Sequence, residues 1–293
     1  MVTTSLFDKY INLTLMLNSV PSGDDLVVNT PKTGIKPNIQ IKGSLLPSYA
    51  VALPEIRITN FYSERDLSDY KYIKVEAGYS DGLNIAFEGD LRIPYIEKPS
   101  PDSVVVFPMV LGSYSVYREA VLIKEWQPGT SLKSILTEVA ASLEMELSFV
   151  TDDIVLNEKI VSDGRTKDLI SKLCSLLPNI RIQPDSKRLL VYNVTVGRND
   201  TYVIDKLSMA VKKGESLTIT GPWIPTLRPG DIVKIDPIFY KQSLGSTFLK
   251  FTSTDFITLV IDFTFSTISD NSMIATLINK GAKQTLDPEG FND

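Results

Sequence analysis

The chain has 293 residues, 43% of them hydrophobic and 22% charged, with a formal net charge of −5; this is ordinary globular composition with apolar mass for more than one core. It contains no histidine, so a Ser-His-Asp triad, a Cys-His dyad and a histidine-bearing zinc site are all excluded. The negative balance, with basic residues scattered in pairs such as Lys187-Arg188 and Lys212-Lys213 that read as solvated turns, argues against a phosphate-gripping protein.

Residues 1–120 read mostly as strands. Ile11 to Leu17 alternates apolar and polar with period two, and Pro21-Ser22-Gly23-Asp24-Asp25 then turns. Leu26-Val27-Val28 and Ile39-Gln40-Ile41 are short strand candidates. Glu55 to Thr59, Tyr72 to Glu76 and Asn84 to Gly89 alternate well, and Ser103 to Phe107 is apolar on both faces, as a buried strand is. The pattern changes near Gln127-Pro128-Gly129. Apolar residues at 132, 135, 136, 139, 140 and 143 form one stripe of a helix that Thr130 or Ser131 can cap. Glu146 to Val150 follows as a strand. Asp163-Gly164-Arg165-Thr166 leads into a second helix through Leu169, Ile170, Leu173 and Leu176, which Pro178 stops. Ile180 to Ile182 and Arg188 to Tyr192 then pair around Pro184-Asp185-Ser186.

Strands return after residue 200. Leu217 to Thr220, Asp231 to Ile235, Thr258 to Phe265 and Ser272 to Ile278 are the clearest, and Arg228-Pro229-Gly230-Asp231 is a tight turn feeding one of them. The parse is therefore an N-terminal β region (1–126), an α+β module with two helices (127–198), a C-terminal β region (199–280) and a polar, mobile tail (281–293). The module reads as an insertion between two similar all-β halves.

The search for chemistry finds little. Cys174 lies among leucines and cannot form an intrachain disulfide, so it reads as a buried small hydrophobe. Asp24-Asp25 and Asp152-Asp153 are adjacent acids of turns, Glu144 and Glu146 flank a helix end, and Asp231, Asp236, Asp255 and Asp262 lack the spacing of a calcium loop. Trp126 and Trp223 read as packed corners, whereas Tyr114 and Tyr117 read as exposed and fit a subunit contact. No nucleotide fingerprint, signal peptide or membrane-length apolar run is visible. No catalytic residue, cofactor site or metal site is expected. Two alternatives remain open on the residues: a glycan-binding tail module on Tyr114, Tyr117 and Trp223, and a cell-wall hydrolase using Asp152 and Asp153.

The stretch from Leu53 to Tyr62 resembles an extended "P-x-x-x-I-x-N-L" strand of phage tail proteins, carried by Pro54, Ile58 and Asn60. Ile73 to Tyr79 looks like the family's "V-x-A-G-Y" strand through Ala77, Gly78 and Tyr79. Ile85 to Leu91 looks like its "I-F-x-G-x-I" strand through Phe87 and Gly89, and Pro128 to Leu136 resembles a helix start that recurs there. Together these are similar to the baseplate hub proteins of contractile-tailed phages, relatives of the bacteriophage T4 hub.

The resemblance implies a mainly β fold in which two tube-type antiparallel β-barrel domains flank the small α+β domain. It implies a homotrimer whose six barrels form a pseudo-six-fold ring around a channel that passes DNA without specific binding. Such a ring mates with the hexameric tail tube protein and with a central spike protein, and baseplate wedge proteins contact its outside. The chain departs from larger hubs in having no recognisable lysozyme-like segment.

Overall fold

The computed structural model describes residues 9–31, 36–45, 54–79, 82–97, 102–112, 114–185, 187–198, 200–204, 209–213, 216–235, 255–269 and 271–280. The expected tail at 281–293 and Asp236 lie outside them.

The N-terminal part runs β1 (Lys9–Met16), β2 (Leu26–Asn29), β3 (Ile39–Leu45), β4 (Glu55–Thr59), β5 (Tyr72–Tyr79), β6 (Gly82–Leu91), β7 (Tyr95–Glu97) and β8 (Val104–Leu111). Period-two alternation makes these strands one-sided: Ile11, Leu13 and Leu15 of β1 are buried, while Asn12 and Thr14 between them are partly exposed. The expected two-sided apolar strand is β8, which is buried along most of its length.

The middle part holds α1 (Tyr114–Glu119), β9 (Val121–Trp126), α2 (Leu132–Ser142), β10 (Glu146–Val150), β11 (Ile160–Arg165), α3 (Thr166–Leu176), β12 (Ile180–Asp185) and β13 (Arg188–Asn193). α2 buries Leu132, Ile135, Leu136, Val139 and Ala140, the stripe its spacing predicts. Its first turn is doubly capped. Ser131 Oγ accepts from the Ser134 amide at 3.2 Å, and Asp153 Oδ1 accepts from the Lys133 amide at 2.9 Å. α3 starts on a strand rather than a turn: the residues expected to lead into it, Asp163 to Arg165, pair with Val121 to Ile123 in β9. The pairing extends a ribbon that propensity alone does not reveal, since Asp and Gly are poor strand formers. A second core gathers α2, α3, β12 and β13 with Trp126 of β9 and Tyr117 of α1, N-terminal to residue 127.

The C-terminal part has β14 (Thr201–Ile204), β15 (Met209–Lys213), β16 (Ser216–Gly221), β17 (Ile232–Ile235), β18 (Asp255–Ser266) and β19 (Ser272–Asn279). Lys212 and Lys213 therefore belong to a strand, not to the solvated turn expected of them, because Met209 to Lys213 pairs residue by residue with β16.

The chain is mainly β. Among the described residues, fourteen strands form one sheet whose main path is β15-β16-β19-β18-β3-β4-β8-β6-β5-β1-β2. The path crosses between the two β regions at one seam, where β18 pairs antiparallel with β3 from Ile261↔Leu45 to Ser266↔Gln40. All its pairings are antiparallel except β14 with β17, which is parallel. One apolar core underlies both regions, joining Ile11, Ile41 and Val75 to Leu217, Ile261 and Leu277. Among the described residues, no helix is long and apolar enough to cross a membrane.

Backbones approach closely where β6 meets the end of β8. A Cβ added to Gly89 would lie 2.0 Å from the Val110 carbonyl oxygen, whereas one added to Gly23 would meet nothing within 4 Å. Gly89→Ala is expected to lower stability by about 2–3 kcal/mol through overpacking. Gly23→Ala is expected to change it by no more than about 0.5 kcal/mol. Urea unfolding of the two variants checks this contrast.

Candidate functional site

The residues with the greatest structural leverage meet where the three parts of the chain touch. The turn Arg228-Pro229-Gly230-Asp231 closes on itself, since Asp231 Oδ2 accepts from the Arg228 amide at 2.7 Å. The Arg228 side chain is almost fully buried and spends its donors on all three parts. Nη1 donates to the carbonyls of Pro225 at 2.8 Å and Leu227 at 3.1 Å, beside its own turn. Nη2 donates to the Ala86 carbonyl of β6, in the N-terminal part. Nε lies 3.4 Å from Asp185 Oδ1, at the end of β12 in the middle part. The guanidinium also sits over the Phe87 ring, 5.2 Å from its centroid, a favourable cation–π placement.

The same turn fits the middle part by shape. Gly230 has φ +89°, and a Cβ on it would come within 2.5 Å of the Tyr192 ring of β13. Arg198, just beyond β13, donates its amide to the Gly230 carbonyl at 2.6 Å. Arg198 Nη1 is 3.2 Å from Asp231 Oδ1, within ion-pair distance, yet the atoms are not aligned for a hydrogen bond. Burial pushes the Asp231 carboxyl up to about 7, against the pull of Arg198 and of the Arg228 amide.

Beside Arg228, an aromatic stack crosses between the two β regions. Phe87 stacks on Trp223 at 5.8 Å and on Phe263 at 5.3 Å, and Trp223 stacks on Phe263 at 4.7 Å. Phe265 packs against Trp223 at 5.1 Å and meets Tyr79 in a T-shaped pair at 5.5 Å. Tyr79 Oη donates to the Trp223 carbonyl at 3.1 Å. Trp223 is thus the packed corner its surroundings suggest, fully buried.

The motif residues fall into four places. Tyr79 and Phe87 meet in the aromatic stack, and Pro54 lies near it, since a Cβ on Gly43 would be 3.1 Å from both Pro54 Cα and the Phe263 ring. Ile58 and Ala77 are buried in the large core. Asn60, in the left-handed region at φ 54°, ties the end of β4 to the start of β8: its side-chain Nδ2 donates to Asp102 Oδ1 at 2.9 Å, its side-chain Oδ1 accepts from the Ser103 backbone N–H at 3.1 Å, and its own backbone N–H donates to the Ser103 carbonyl at 2.7 Å. Gly78 and Gly89 occupy close backbone crossings, where an added Cβ would lie 2.0 Å from the carbonyl oxygens of Gly82 and Val110.

Other expectations need correction. Tyr117 is buried in the second core, not exposed, because α1 packs against α3. Trp223 is buried as well, so these aromatics form no open platform for a sugar; the Tyr114 side chain lies outside the described set. Asp153 is occupied as a helix cap. Desolvation by its neighbours opposes its charge although the residue is exposed, but the amides of Lys133 and Ile154 and the Ser131 hydroxyl outweigh that and hold its carboxyl below the usual range. Cys174 is partly buried against the second core, and burial pushes its thiol up. Among the described residues, no three His, Cys, Asp or Glu side chains gather at metal-binding distance. Sequence reading identified the Arg228 turn but missed the joint, whose partner Ala86 lies 142 positions away.

No protein-family model matches the chain, and no curated protein matches it in sequence. Solved structures do. A tail protein of prophage MuSo2 from Shewanella oneidensis superposes over 93% of this chain and 98% of its own, with a TM-score of 0.58 at 8% identity. A tail protein from Neisseria meningitidis MC58 superposes over 94% and 98%, with a TM-score of 0.60 at 9% identity. An E. coli type VI secretion component, described as similar to the T4 tail proteins gp27 and gp5, covers 84% of this chain and 75% of its own, with a TM-score of 0.53 at 10% identity. The chain thus has a fold found in phage tail proteins, recognisable in shape alone.

Two outcomes follow from the joint. Arg228→Met removes the cation facing Asp185 and leaves the Ala86 carbonyl without its donor, so stability is expected to fall by about 3–5 kcal/mol in urea unfolding. Asp231 makes stability pH-dependent in a defined direction. Between about pH 4 and pH 7 the folded carboxyl keeps a proton that the unfolded one, with its ordinary pKa of roughly 3.9, releases. Its contribution is therefore most favourable at low pH and is lost as pH rises through 7. From pH 5 to pH 7 the parent chain is expected to lose about 2 kcal/mol more than Asp231→Asn, measured as the difference between paired urea titrations.

Proposed function

We propose that this chain is a non-enzymatic structural subunit of a phage-type tail tip, a hub protein of the virion baseplate made and assembled in the host cytoplasm. Its two β regions are tube-type barrel domains, and three copies present six of them. The resulting homotrimeric ring mates with a hexameric tail tube protein above and a central spike protein below. The middle part faces outward toward baseplate wedge proteins, and DNA passes through the centre.

The observation that carries this reading is the single sheet running through both β regions and pinned at its seam by the aromatic stack and Arg228. A ring that transmits load needs its repeated units fixed within each subunit, and a buried stack with a multiply bonded guanidinium supplies that. The whole-length likeness to tail proteins supports the same reading. So does the outward face of the sheet, where bases sit beside acids: Lys42 with Glu55, Arg57 with Glu55 and Glu97, and Lys74 with Glu76. Cations so paired have weak claim on phosphates, which suits a channel that lets DNA slide.

The test is mass in solution together with direct imaging. Light scattering is expected to give three chains per particle, and negative-stain images are expected to show a ring with a central opening. A stable monomer at high concentration refutes the proposal.

A further inference from the structure

We propose that the middle part of the chain undocks from the large sheet as an intact unit, turning about the links at Gly112 and Gly197. The joint around Arg228 is then a latch. While docked, the middle part is fixed; it leaves as a whole. This motion belongs to a single chain and is independent of the ring reading.

The middle part has a core of its own. Among the described residues, its apolar cluster shares no member with the one under the large sheet, so parting the two breaks neither. Both covalent links carry a glycine in the left-handed region. Gly112, at φ +74°, is the last point tied to β6: its amide donates to the Glu88 carbonyl at 3.0 Å, and its carbonyl accepts from the Asp90 amide at 3.1 Å. Gly197, at φ +81°, stands where the chain changes bodies. Before it, the Val194 amide donates to the Asn179 carbonyl of the middle part at 2.9 Å; after it, the Arg198 amide donates to the Gly230 carbonyl at 2.6 Å. A few such positions can absorb the backbone rotation of a hinge.

The charges at the joint are placed to part cleanly. Arg228 Nε meets Asp185 across it at 3.4 Å, and Gly230 presses on Tyr192. When the middle part leaves, Arg228 keeps the Pro225, Leu227 and Ala86 carbonyls and the Phe87 ring. Asp185 keeps Arg188 of the adjacent strand, 3.4 Å away. It also passes into water, whereas deleting Arg228 would leave it buried. Arg198 keeps Asp200 at 3.3 Å. Polar atoms on both sides gain from separation. Strand register puts Gln183, Leu190 and Tyr192 on the face of β12 and β13 that holds Asp185. Gln183 Oε1 and Tyr192 Oη are buried without a hydrogen-bond partner, and so are Arg198 Nη1 and Asp231 Oδ1 on the other side. Water can satisfy all four once the surfaces part.

Rising pH favours release. The Asp231 carboxyl, pushed up to about 7 by burial, faces Arg198 and Asp200 beyond the hinge, Tyr192 of β13, Tyr202 of β14 and Arg228 of its own turn. Above pH 7 it carries a charge that burial opposes and that undocking relieves. The chain has no histidine, the side chain that ordinarily titrates in this range.

The experiment measures how fast a thiol reagent modifies a single cysteine, in chains where Cys174→Ala removes the native one. Leu190→Cys and Val191→Cys replace neighbours on β13 that are 1% and 0% exposed, the first facing the joint and the second the middle part's own core. Circular dichroism checks that each variant folds. At pH 8 the cysteine at position 190 is expected to react roughly tenfold or more faster than the one at position 191. Adding Asp231→Asn is expected to slow it. The ratio of the two rates, which cancels the reagent's own pH dependence, is expected to rise roughly fivefold or more from pH 6 to pH 8. Adding Tyr192→Phe removes a hydroxyl without a partner in the docked form, and is expected to slow the reaction about fivefold. Equal rates at positions 190 and 191 would mean that the middle part leaves only by unfolding, and would overturn the proposal. So would a faster reaction in Tyr192→Phe, which would mean that docking satisfies the hydroxyl. A ratio that stays flat with pH would overturn the part given to Asp231.

Discussion

One buried guanidinium holds this molecule in register. Arg228 bonds carbonyls on both sides of the sheet seam and faces Asp185 of the middle part. A buried cation is tolerated only when its donors are used, and removing any partner leaves an expensive charge behind. The three parts are therefore not free to swivel about the turn. The aromatic stack adds apolar contact to the same place, and Gly230 lets the turn press against Tyr192 where any side chain would stand in the way.

The seam between β3 and β18 turns two regions that are distant in sequence into one continuous surface. Its inward side is a shared apolar core, and its outward side carries acids and bases in neighbouring pairs. This division is what period-two alternation dictates when one sheet face is buried. The fold so built is held in common with tail proteins at 8–10% identity.

Much of this was legible from the residues. Alternation located β1, β4, β5, β6, β16 and β18, and the helical stripes of α2 and α3 were plain because each buries one continuous face. The glycines at 78 and 89 belonged to recognisable strand patterns, although only the structure gives their reason, which is the near contact of two backbones. What the sequence hid was set by distant pairing. β11 runs through Ser162, Asp163 and Gly164, which have little strand character, and forms because β9 lies beside it. Tyr117 read as exposed because its burial depends on α3, which begins only at Thr166. The roles of Arg198 and Asp185 were likewise invisible, since a charged residue near a turn looks solvated until its partner is known.

Ile39 and Thr267, which bond across the seam at 3.0 Å, stand 228 positions apart. On a ribosome the earlier strand emerges long before its mate exists, so the two halves of the sheet must wait with raw margins open to neighbouring nascent chains. Contacts of such span are slow to form and vulnerable meanwhile to mispairing. High-level production of this polypeptide should accordingly reward slow translation and low temperature, conditions that give the late-arriving strand time to find its place.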